Sequence, residues 1–64
     1  MKFSIRDTQT DFSLHEVSSS ELIHFLLDKK VIDELKINIA VSKIAGLAIN
    51  KSIKIKHYAI IRTQ

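Results

Sequence analysis

The stretch Ile53-Lys54-Ile55-Lys56-His57-Tyr58-Ala59-Ile60-Ile61-Arg62 decides the fold, because apolar and polar residues alternate along most of it. A period of two is the mark of a half-buried strand. Read as one strand, it places Ile53, Ile55, His57, Ala59 and Ile61 on one face and Lys54, Lys56, Tyr58, Ile60 and Arg62 on the other. The second face carries cations with an aromatic between them. It is the candidate contact face, for protein or for nucleic acid, with the charges on phosphates and Tyr58 stacked on a base. The plainer reading is that lysines on an exposed strand guard its edge against aggregation. His57 on the apolar face is either a core or edge histidine with satisfied ring nitrogens, or a pH switch at a subunit interface.

Upstream, Asn50, Lys51 and Ser52 read as a turn, and before them two periods compete. Ile37, Ile39 and Val41 alternate as a strand would. On a helical wheel, however, Ile37, Ala40, Val41, Ile44, Ala45, Leu47 and Ala48 gather on one side, opposite Lys36, Asn38, Ser42, Lys43, Gly46 and Asn50. The wheel predicts a helix over 34–49 with Asp33 as its N-cap; a strand over 36–42 is the alternative. Gly46 marks either close packing or the helix end. Ile39 and Ile49 fall outside the apolar arc, and they are the candidate dimer or partner interface. Core packing explains this helix better than membrane-surface binding, since its polar side has only Lys36 and Lys43 as cations.

The amino-terminal half divides more readily. Phe3 and Ile5 alternate with Lys2, Ser4 and Arg6, and Phe12 and Leu14 with Ser13 and His15, around the polar run Asp7–Asp11. These predict a β-hairpin whose apolar residues line one side. Ser18 and Glu21, three apart, then form a capping box with Val17 and Leu22 as its hydrophobic staple. A helix follows through Leu22, Ile23, Phe25, Leu26 and Leu27, with Lys29 and Lys30 suiting its carboxy-terminal dipole. The expected order is hairpin, two helices, strand: one α+β domain over 1–64, in two layers, the last strand completing a three-stranded antiparallel sheet.

Composition narrows the function. The 64 residues carry a net charge of +3, but residues 1–34 hold four Lys or Arg against seven Asp or Glu, and residues 35–64 hold six against none. Such a split suits an anionic partner for the basic half, or two subunits pairing unlike surfaces. Cysteine is absent, so neither a disulfide nor a thiolate metal site staples this small core, and oligomerisation is the remaining means. A homodimer is expected.

Catalytic apparatus is thin. The serines at 18–20 serve capping, and His15, His24 and His57 lie on separate elements. His24 and Asp28 read as a surface pair before a metal site, and Gly46 is the only glycine, which rules out a glycine-rich phosphate loop. A helix-turn-helix about Gly46 puts Ser52 where an apolar residue belongs. No apolar leader follows Met1, and Ile37–Ile49 is too short and too polar to span a bilayer. The sequence thus predicts a cytoplasmic, non-enzymatic binding protein without metal, cofactor, small-molecule substrate or membrane. It would regulate or inhibit another protein, and its Ile, Lys and Asn composition suits a phage or mobile element. Nucleic-acid binding or transcriptional regulation is the alternative.

Overall fold

The computed structural model describes residues 1–64 and has the order β1 (Lys2–Asp7), β2 (Ser13–Ser18), α1 (Ser19–Asp28), α2 (Ile37–Ala45), β3 (Ser52–Ile55) and β4 (Tyr58–Arg62). The strands form one antiparallel sheet in the order β2-β1-β4-β3. Two hairpins therefore sit side by side, with the first and last strands in the middle. The chain leaves the sheet at one edge, crosses one face through both helices and re-enters at the other edge.

The architecture is α+β in two layers, but the sheet has four strands where three were expected. The stretch 53–62 is two strands joined by a tight turn at Lys56 and His57, with Ile55 opposite Tyr58. The turn requires a left-handed residue, which Lys56 supplies at φ 53. Crossing it shifts the apolar phase by one. Ile53 and Ile55 before the turn, and Tyr58 and Ile60 after it, all face the helices, while Ala59 and Ile61 face away.

A similar shift occurs in β2. Val17 pairs with Phe3 and Leu14 with Ile5, so a bulge separates them, with Glu16 at φ 59 as its left-handed residue. The bulge keeps Leu14 and Val17 against the same core despite their spacing of three. Phe12 lies in the connecting turn, not in the strand, and stacks on Phe25 at a centroid distance of 6.0 Å.

Helix α1 starts as expected. The Glu21 N–H donates to Ser18 Oγ at 3.2 Å and the Ser18 N–H to Glu21 Oε1 at 3.1 Å, completing the capping box. Glu21 has its pKa lowered, chiefly by the Ser18 backbone and side-chain hydrogen bonds. Helix α2 is shorter than expected, 37–45 instead of 34–49. Asp33 accepts the Lys36 N–H at 2.9 Å and so caps an isolated turn ahead of the helix, whose own N-cap, Lys36, makes no side-chain bond. The helix stops at Gly46, where the Gly46 N–H reaches Ser42 O at 3.0 Å.

The core is Phe3, Ile5, Leu22, Leu26, Val31, Ile44, Leu47, Tyr58 and Ile60. The sheet supplies four of these from its two central strands, so the deepest packing lies under β1 and β4. No helix is long and apolar enough to cross a membrane.

Candidate interaction surfaces

The five residues expected on one contact face separate. Tyr58 and Ile60 are 5% and 0% exposed and belong to the core. Arg62 shares their inward register, and its guanidinium donates to Leu47 O at 3.0 Å and Gln64 O at 2.8 Å, pinning the segment after α2 against the sheet. Lys54 faces the opposite side of the sheet, and Lys56 stands in the turn. The physical reason is the turn itself, which puts residues of equal parity before and after it on opposite faces. Stacking a base on Tyr58 is therefore not available; its ring is instead packed edge-on to Phe25 at 5.5 Å and against His57 at 4.4 Å.

His57 is not on the apolar face either. It sits in the turn, where its carbonyl accepts both the N–H and the hydroxyl of Thr8 at 2.8 Å. Its Nε2 lies 3.7 Å from Asp7 Oδ2. The two hairpin turns are thus tied together at one end of the sheet. Burial alone would raise the Asp7 carboxyl, but hydrogen bonds from the Gln9 backbone and from Thr10, together with the nearby His57, outweigh it and hold the pKa below its ordinary value.

The second surface is α2. Ile39 and Ile49 are 58% and 52% exposed, as their position off the apolar arc requires. Leu35, which the wheel did not single out, is 94% exposed. Only Ala40 and Ile44 of the helix are buried, and Val41 and Ala45 also face solvent. A helix that is apolar on most of its circumference is ordinarily enclosed; this one is covered on one side only. Beside it, Val31, Ile32, Ile39, Ala40 and Ile55 floor a hollow of ≈ 240 Å³ that Lys36, Lys43 and Lys56 border.

The third surface is the open face of the sheet, away from both helices. Register defines its rows. Ser13, Arg6, Ala59 and Lys54 lie in line across the four strands, and Ser4, Ile61 and Ser52 form the next row, with Lys2 and Ser18 beyond. His15 Nδ1 lies 3.2 Å from Ser4 Oγ, which closes the second row at the β2 edge. A shallow hollow of ≈ 270 Å³ runs between Arg6, Ser13, His15 and Ser52 over Ala59 and Ile61. The only ion contact within 4 Å is His57 with Asp7, so Arg6 and Lys54 have no paired carboxylate, while Lys2 acts at longer range on Glu21. Sequence reasoning put Lys2, Ser4 and Arg6 together on one side of the first strand, but it placed Lys54 with Tyr58 and so did not join the two sets into one surface.

Chemically, the three surfaces offer cations, hydroxyls and exposed apolar side chains. The chain matches no protein-family model, no curated protein and no solved structure.

Proposed function

We propose that this chain is a small non-enzymatic binding protein of the cytoplasm, a homodimer that regulates or inhibits by covering a site on another protein. The observation that carries the reading is α2: a nine-residue helix whose exposed apolar residues, with Leu35 before it and Ile49 after it, need a polypeptide to cover them. A helix this short is marginal in water without tertiary packing, and here Ala40 and Ile44 alone are buried. A second copy supplies the cover in the free protein, because a core of this size without a disulfide is commonly completed by oligomerisation. Ile39 and Ile49 are the contact residues, with Leu35 added to them.

Sedimentation of the purified chain at micromolar concentration tests the dimer, and capture from an extract of the source cells tests the target. The expected result is a dimer that Ile39→Asp dissociates, since an unpaired charge in a subunit contact costs several kcal/mol. Capture should recover one stoichiometric protein that the same variant no longer retains. A stable 7.3 kDa monomer together with no retained protein would overturn the reading.

A further inference from the structure

Beyond that reading, we infer that the open face of the sheet is a binding site for the phosphate backbone of double-stranded nucleic acid, held by Lys2, Arg6 and Lys54 with the serine hydroxyls between them. The face is the one large surface that neither helix covers, and it lies opposite the core, so it is free whether or not α2 is engaged.

Charge selects an anionic occupant. Three cations project at outward positions and none has a carboxylate within ion-pair distance. The only carboxylates on the strands are Asp7, which is buried on the inner side, and Glu16, at the bulge of the edge strand. Arg6 and Lys54 flank Ala59 in one row, two strand spacings apart, or about 10 Å. Lys2 lies four residues along β1 from Arg6, about 13 Å away. These separations match the groove dimensions of a duplex, whose major groove is about 12 Å wide, and apart from Ile61 the side chains between the cations, Ser4, Ser52 and Ala59, are small.

Side-chain type selects nucleic acid over an acidic protein. Protein interfaces are enriched in aromatic residues, methionine and arginine and depleted of lysine and serine. This face has Lys2, Lys54, Ser4, Ser13 and Ser52 against one arginine, Arg6, and one large apolar residue, Ile61, and no aromatic apart from His15. Lysine, arginine and serine are the side chains that meet phosphate oxygens. The missing aromatics also select the duplex: single strands are held by stacking bases on aromatic rings, and the chain's Tyr58 is in the core. Arg6 is the one side chain on the face able to pair bidentately with a base edge, at guanine, so most of the contact reads backbone and not sequence.

Binding of a duplex of about twenty base pairs, followed by fluorescence anisotropy at about 50 and 200 mM salt, tests the site. Three phosphate contacts per chain give a slope of log affinity on log salt of about −2.7, or roughly 40-fold weaker binding across that interval. The triple variant Lys2→Glu, Arg6→Glu, Lys54→Glu, with its fold checked by circular dichroism, should lose binding at least about tenfold at the lower salt and flatten the slope. Arg6→Gln alone should reduce the slope by about 0.9, which keeps the test available should the triple variant fail to fold. A control that reverses two cations at the end of α1, Lys29→Glu, Lys30→Glu, should stay within about threefold of the parent chain, whereas Arg6→Glu, Lys54→Glu, with the same change of net charge, should not. The inference is overturned if the parent chain binds no duplex at the lower salt, or if the control loses as much as the double variant at Arg6 and Lys54. Tighter binding to a single strand than to the duplex, or equal binding to an acidic peptide, would overturn it as well.

Discussion

Two side chains at the sheet carry consequences for stability. Asp7 is held ionised by the Gln9 N–H at 2.9 Å, by Thr10 and by His57. Its folded pKa lies below the ordinary value of 3.8, so at low pH the unfolded chain binds the proton first. The contribution is complete above that ordinary value and is lost as pH falls through the folded one. Acid titration of the melting temperature should therefore show a decline beginning near pH 4, and Asp7→Asn should make that decline shallower. Thr63 has the opposite character. Its hydroxyl oxygen is buried with no hydrogen-bond partner, which costs desolvation without return. Thr63→Val keeps the shape and removes the polar atom; it should stabilise the protein by about 1 kcal/mol, read as a rise of about 4–8 °C in thermal unfolding.

At the level of elements, local chemistry was legible and phase was not. The start of α1 was readable because its signal spans only Ser18 to Glu21, and both bonds of the box form. Ser18→Ala should cost about 1 kcal/mol in denaturant unfolding, with the helix otherwise retained. The alternation of 53–62 was equally clear, yet it concealed a turn. The clue was the spacing of three from Ile55 to Tyr58, the same interval that separates Leu14 from Val17 across the bulge. Each interval contains a non-glycine residue at positive φ, Lys56 or Glu16, and neither residue type advertises a turn or bulge. The chemistry of the site followed the phase: with Lys54 turned outward, the cations of β1 and β3 came onto one face, while Tyr58 and Ile60 went to the core. Helix α2 was shortened for a related reason. Asp33 does accept a backbone N–H, but from the turn at 34–36, and the helix begins only after it.

Across the whole molecule, the core is few residues deep. Small domains are stable by about 0.05–0.15 kcal/mol per residue, so the loss of one central side chain is felt globally. Ile60→Ala removes a fully buried residue of the central strand β4 and should cost about 2–5 kcal/mol. Circular dichroism should find most of that variant unfolded or on the verge of it, whereas a surface contact residue at this position would leave the melting curve in place. The order β2-β1-β4-β3 also bears on how the chain comes off the ribosome. The first hairpin and α1 are synthesised early, but β1 waits for a neighbour more than fifty residues later, and Phe3 meets Arg62 only when β4 has been made. Until then the inner face of β1 and the apolar side of α1 are exposed together with a free strand edge, a combination that invites aggregation. A nascent chain from which β4 has not yet emerged is thus a sheet lacking one of its two central strands, and chaperone attention falls on it until Tyr58–Arg62 is free to pair.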